Sequence, residues 1–158
     1  MALNNYHRTA IGAMALSAVG LVHISMQEGF VAVATPPVKG DVPTYGFGTT
    51  EGVKLGDKIT PEKALNRELS DISKFEGAIK ECVKVPLYQR EYDAYTSLTY
   101  NIGTYAFCHS TIVKNLNLGN YTKACEGILD WDKFKGRPLK GLTNRRQSEY
   151  HTCTGVQA

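Results

Sequence analysis

The sequence predicts an α+β fold in which a small β-hairpin lobe stands beside a mainly helical lobe, with a cleft between them. Three observations predict it. Thr9 to Gln27 is a nineteen-residue stretch without Asp, Glu, Lys or Arg. Thr35 to Asp57 holds three prolines and five glycines interleaved with Val, Tyr and Phe. From Thr60 onward, apolar residues recur at three- and four-residue steps almost to the end of the chain.

The first stretch, TAIGAMALSAVGLVHISMQ, lies between Arg8 and Glu28 and is weakly hydrophobic, because Ala, Gly and Ser dominate it. Its length just suffices to cross a bilayer, whereas a stable anchor is richer in Leu and Ile. Three readings stand. It is a cleavable signal peptide with Ala13-Met14-Ala15 as a small-x-small site, or a close-packing helix of the soluble fold, or a marginal membrane segment that enters the export pathway and later leaves the bilayer. The expected division is therefore an apolar export segment over 1–27 and a folded domain over 24–158.

The Gly/Pro-rich segment predicts a twisted hairpin or three-stranded sheet with turns at Lys39-Gly40-Asp41, Thr50-Glu51-Gly52 and Gly56-Asp57. Thr60-Pro61 then supplies a helix cap followed by proline at the first helical position. Leu65, Leu69, Ile72, Phe75, Ile79 and Val83 form one apolar stripe, interrupted at Pro86. A second helix begins near Tyr88, turns Tyr92, Tyr95, Leu98 and Ile102 inward, and stops at Gly103. Ser110 caps a third that carries Ile112, Val113 and Leu116 and closes at Gly119. A fourth covers about Tyr121 to Trp131, with Trp131 in the core. Lys135 to Leu139 reads as a loop, and a last helix runs from near Gly141 to about Cys153.

Composition narrows the class. With 158 residues, 42% hydrophobic and 21% charged, the chain is expected to be a soluble globular protein with a sizeable core. A net charge of +3 is too small to imply nucleic-acid binding, although it suits an acidic polymer. Cys82, Cys108, Cys125 and Cys153 show no C-x-x-C spacing and only His109 adjoins one of them, which argues against a zinc site. An even count in an exported protein suggests two disulfides. His7, His23, His109 and His151 are scattered and show no nucleophile or metal logic.

Glu28 stands where the apolar stretch meets the Gly/Pro-rich segment, among Met26, Gln27, Gly29 and Phe30. A carboxyl in an apolar, partly buried setting can stay protonated near neutral pH and protonate a glycosidic oxygen. Asp41 and Thr44 lie on the hairpin turn and the following strand, and a hairpin folding back would bring them to face Glu28, where they would hold a water. Each has a plainer reading: a helix-surface glutamate, a Gly-Asp turn, an ordinary strand threonine. Tyr45 and Phe47 either line a sugar cleft or fill the core of the small sheet. Asn101 either bonds a substrate amide or ends its helix.

The ordered set of Glu28-Gly29, the run GDVPTYGFGTT, Asn101-Ile102-Gly103 with Phe107, and Gly141-Leu142-Thr143-Asn144-Arg145-Arg146 with Glu149 resembles the T4-type phage lysozymes, glycoside hydrolase family 24. The match spans about Ser25 to Cys153. The resemblance implies a lysozyme-like fold with the active site in the cleft. It also implies a muramidase that cleaves the β-1,4 bond between N-acetylmuramic acid and N-acetylglucosamine, with no metal or cofactor. Glu28 would be the general acid, and water held by Asp41 and Thr44 would attack the opposite face with inversion. One departure stands out. The family aspartate and threonine fall nine and fifteen residues after the glutamate, where this chain has Pro37 and Pro43; Thr44 is sixteen after, and Asp41 takes the role as the sole carboxylate between Glu28 and Thr44.

Within that resemblance, residues 9–27 look like the signal-arrest-release segment of some phage endolysins. The expected partners are peptidoglycan strands and, transiently, the inner membrane through residues 9–27; a monomer acting on the wall from the periplasmic side and no nucleic acid are expected. A lytic transglycosylase and an inactive peptidoglycan-binding domain remain alternatives. Arg145 and Arg146 are expected to bridge helices. For the cysteines, the pairing Cys82–Cys153 and Cys108–Cys125 would tie the last helix to the central one and staple two short helices.

Overall fold

The computed structural model describes residues 7–156; the first six residues of the 1–27 segment and the last two of the 24–158 domain lie outside the described residues. The helices are α1 (Ala18–Glu28), α2 (Pro61–Cys82), α3 (Gln89–Ile102), α4 (Thr104–Cys108), α5 (Thr111–Asn117), α6 (Tyr121–Glu126) and α7 (Lys140–Thr154). Strands β1 (Val31–Thr35) and β2 (Thr44–Gly46) form one antiparallel pair, β3 (Lys133–Phe134) and β4 (Arg137–Pro138) another. Two units result: the chain up to Gly20 with Phe75 onward, and Leu21–Lys74.

The larger unit is helical around α3. Tyr92, Tyr95 and Leu98 are buried with Phe107, Ile112, Leu116 and Ile128, and Gly103, at φ 90°, stops the helix where expected. Ser110 caps α5 by accepting from Val113 N–H. The predicted fourth helix is α only to Glu126 and tightens to a 3-10 turn over Gly127–Trp131. Gly127 stands at the change, where a Cβ would lie 2.9 Å from Ile112. Trp131 packs, partly buried, against this core. The predicted loop after it is a hairpin turning through Lys135 (φ 50°) and Gly136 (φ 78°), two successive left-handed residues of the kind that closes a two-residue hairpin.

Arg145 bridges α7 and α3 as expected. Arg145 and Arg146 both pair with the buried Glu149, at 3.1 and 2.8 Å. Ser97 of α3 also donates to Glu149, and Arg145 reaches the Ser97 carbonyl. The disulfide expectation is corrected: the bonds are Cys82–Cys108 and Cys125–Cys153, with Cα atoms 5.6 and 5.8 Å apart. The end of α2 lies against α4, where Cys108 also contacts the Ala78 carbonyl, and α6 packs on α7. The two short helices carrying Cys108 and Cys125 are not neighbours in the chain, because α5 stands between them.

The apolar N-terminal stretch is not one helix. Thr9 and Leu87 exchange backbone hydrogen bonds of 2.8 and 2.9 Å, and Arg8 grips Glu91 while stacking on Tyr88 and Tyr121. Gln89 donates to the Ala15 carbonyl. Ser17 caps α1, accepting from Gly20 N–H, and is itself held by Asp93. Helix α1 then has eleven residues, about 16 Å at 1.5 Å per residue, against a hydrocarbon core of about 30 Å. Among the described residues no helix is long and apolar enough to cross a membrane.

In the smaller unit β1 lies between β2 and the segment 56–59, to which it bonds through Ala32 and Ala34. The strand begins at Val31, earlier than the Gly/Pro-rich segment suggests. The pairing Val31↔Gly46 and Thr35↔Thr44 sets five residues of β1 against three of β2, so the strand bulges. Turns fall at Val38–Asp41, Thr50–Val53 and Lys54–Asp57. Helix α2 opens at Thr60-Pro61 as predicted, but its inward face in this unit is Ala64, Glu68 and Ile72, whereas Leu65 and Leu69 are 39% and 46% exposed.

Candidate active site

Glu28 is the last residue of α1. Gly29 takes φ 69°, a left-handed step that favours glycine, and its N–H closes the helix on the Ser25 carbonyl at 3.0 Å. The Glu-Gly pair thus ends the helix on the carboxylate and sends the chain into β1. Past β2, Gly48 (φ 87°) lies directly against that carboxylate: a Cβ there would stand 3.2 Å from Glu28 Oε2. The run Tyr45-Gly46-Phe47-Gly48 therefore has a mechanical reason. Gly46 admits the close approach of Ala64, Gly48 admits Glu28, and Phe47 meets Phe30 with ring centroids 5.6 Å apart.

Of the other predicted residues, Thr44 is half-buried on β2 opposite Thr35, and its hydroxyl lies 3.4 Å from the Val42 carbonyl. Tyr45 is half-buried and exchanges backbone bonds with Thr49. Asp41 is exposed at the end of a tight turn, its N–H bonded to the Val38 carbonyl. Asn101, exposed in the last turn of α3, belongs to the other unit.

Sequence reasoning missed a second carboxyl in the same unit, one that feels the charge of Glu28. Glu68 is fully buried, and its Oε2 accepts from Ser25 Oγ at 2.7 Å. Burial pushes its carboxyl up to about 7; the Ser25 hydroxyl opposes the shift, while the charges of Glu28 and Asp71 add to it. Asp71, one turn further along α2, accepts from Thr49 Oγ1 at 2.8 Å. The signal was present in the chain: Glu68 falls midway between Ala64 and Ile72 on a helical face. No three His, Cys, Asp or Glu among the described residues are grouped to hold a metal ion.

The phage lysozyme family model matches residues 25–149. The chain is 38% identical over 145 residues to the SAR-endolysin of Pseudomonas phage phiKMV, covering 89% of this chain and 88% of that one. It is 41% identical over 140 residues to the endolysin of Acyrthosiphon pisum secondary endosymbiont phage 1, covering 86% and 95%. Among solved structures, the endolysin from Escherichia coli O157:H7 phage FAHEc1 superposes with a TM-score of 0.80 at 39% identity, covering 90% of this chain and 94% of that one. The chain belongs to the phage lysozyme family: it is a lysozyme, a hydrolase of peptidoglycan.

Proposed function

We propose that the chain is an endolysin muramidase in which Glu28 protonates the glycosidic oxygen between N-acetylmuramic acid and N-acetylglucosamine, and a water held by Asp41 and Thr44 attacks the anomeric carbon from the opposite face. The proton passes to the leaving sugar, the water supplies the new hydroxyl, and the configuration inverts. The observation that carries this reading is Glu28 at the end of α1 with its carboxylate resting on the backbone of Gly48. Tyr45 and Phe47 would border the bound sugars, and Asn101 would meet an acetamido group.

Product masses from purified peptidoglycan test it. Hydrolysis yields a reducing sugar, and a transglycosylase yields an anhydro sugar lighter by one water. A Glu28→Gln protein that digests the wall as fast as wild type would overturn the assignment.

The same reading extends to the N-terminus. Residues 9–27 hold the exported chain at the inner membrane until release, after which the 24–158 domain acts on the wall. Support comes from the absence of Asp, Glu, Lys and Arg over this stretch and from Val19, Val22 and Met26, which stay exposed along α1. Lysozyme assays on membrane and soluble fractions check it, and full activity in the membrane fraction defeats it.

A further inference from the structure

We infer that residues 132–140, the β3–β4 hairpin with the first residue of α7, form a cationic surface that holds the wall through the carboxylates of the peptides borne by peptidoglycan. This rests on peptidoglycan as the substrate and not on which residue is the acid.

The positive charge of the chain is concentrated here. Lys133, Lys135, Arg137 and Lys140 stand against one carboxylate, Asp132, so the segment carries +3, and the whole chain also carries +3. The rest of the chain is therefore neutral in sum. Residues 133–141 are all exposed. Asp132 is turned inward: its side chain is 19% exposed against 53% for Lys133, which lies 3.5 Å away, and it accepts from Thr143 Oγ1. Lys135, Arg137 and Lys140 have no ion-pair partner among the described residues.

The local fold does not account for these cations. Strands β3 and β4 make a sheet of their own, with Phe134 opposite Arg137. The left-handed turn puts Lys135 at the tip of the hairpin. Lys140 opens α7, whose first turn has no acidic residue, and a cation at that end opposes the helix dipole. Crowded like charges repel one another, so the arrangement is relieved by an anion from outside.

The substrate supplies one. The N-acetylated sugars of peptidoglycan are amides, and its free carboxylates belong to the peptides. Arginine meets a carboxylate with two parallel donors, and lysine meets it as a point charge. Phe134 and Leu139, 59% and 51% exposed, flank the cations and fit the alanine methyl groups of the same peptides. A lipid surface is a poorer match, because interfacial binding calls for a continuous apolar helix face and the hairpin offers two separate apolar side chains. A surface of this kind raises affinity and encounter rate for the polymer without entering the chemistry.

The experiment is sedimentation of the full chain with purified insoluble peptidoglycan on ice, before digestion proceeds. A variant combining Lys133→Gln, Lys135→Gln, Arg137→Gln and Lys140→Gln should bind about tenfold more weakly than wild type at low salt, the scale of a few exposed ion pairs. The difference should vanish at about 1 M salt, where screening shortens to about 3 Å. Wild type should lose affinity to the same degree on peptidoglycan whose carboxyls have been converted to amides, an arm that needs no variant to fold. The maximal rate of the variant on saturating wall should stay within about twofold of wild type, with the loss in KM. Equal wall binding by variant and wild type overturns the proposal, and so does wild-type binding that ignores amidation. A variant that loses affinity for phosphatidylglycerol vesicles but keeps it for the wall overturns it in favour of a membrane surface. Sedimentation reads no turnover, so it fails independently of the assignment of Glu28.

Discussion

The two units distribute polar burial in opposite ways. In the helical unit Glu149 takes both Arg145 and Arg146 and also accepts from Ser97, and the buried Asp93 accepts from Ser17 and Gln89. Around them pack Tyr92, Tyr95, Leu98, Phe107 and Ile112, and two disulfides tie α2 to α4 and α6 to α7. In the unit of residues 21–74, buried apolar side chains are few (Ile24, Ala34, Ala64 and Ile72 among the described residues), and the buried carboxyl of Glu68 has an oxygen with no hydrogen-bond partner. Six of its glycines, at 29, 40, 46, 48, 52 and 56, hold positive φ. One unit is built for stability; the other accepts an uncompensated carboxyl and left-handed turns beside its candidate acid. Such concentration of local cost marks functional regions.

The comparison breaks most sharply at two carboxylates. Glu28→Gln should cut kcat by about three orders of magnitude, the middle of the range for loss of a general acid, while the urea midpoint stays near wild type. Glu149→Gln should do the reverse. Leaving two buried guanidinium groups facing a neutral amide costs about 3–5 kcal/mol, read as an earlier urea transition, while the protein still folded at low denaturant turns over at close to the normal rate. If Glu149→Gln lost activity without losing stability, the division of labour between the units would be wrong.

Glu68 gives the next effect, and its sign follows from linkage. Its folded carboxyl titrates near 7 against an ordinary 4.5, so between these values the native chain binds more protons than the unfolded one. Stability from this group is fully present below about pH 4.5 and is lost as pH rises through 7. The drop amounts to roughly 3 kcal/mol at 1.36 kcal/mol per unit. Urea unfolding at pH 5 and pH 8 should show it in wild type and not in Glu68→Gln, which should be the more stable protein at pH 8. Equal pH dependence in the two proteins would mean that Glu68 ionises normally.

How much of this was legible in the chain follows the physics of each feature. Glu28-Gly29 and the glycines at 46 and 48 were legible as parts of an ordered family pattern, and the structure supplies their reason: a left-handed step and a close approach both call for glycine. The ends of α3 and α5 were readable for the same reason, at Gly103 and Gly119. Leu65 and Leu69 misled because periodicity ranks a helix face by its leucines. The face that packs is Ala64-Glu68-Ile72, with a small residue and a glutamate that no apolar count selects. The disulfides were unreadable because pairing depends on which helices meet, and spacing along the chain does not report that α5 stands between Cys108 and Cys125. The Lys135-Gly136 hairpin was read as a loop because two-residue strands leave no alternation to detect.

The smallest effect offers the finest test of why Gly48 is glycine. Gly48 and Gly56 have nearly the same φ, 87° and 86°, so alanine at either meets left-handed strain of about 1 kcal/mol. They differ in what the new methyl group meets. At Gly56 nothing lies within 4 Å, whereas at Gly48 the Cβ would stand 3.2 Å from Glu28 Oε2 and 3.6 Å from its Cδ and Cγ. Both variants should therefore lose a similar few degrees of Tm. Only Gly48→Ala should lose rate, because the carboxylate must give way by a few tenths of an ångström and a misplaced acid lowers kcat, here by about tenfold. KM should change little in either protein. Equal kcat in the two variants would mean that the acid tolerates displacement and that Gly48 serves the turn alone.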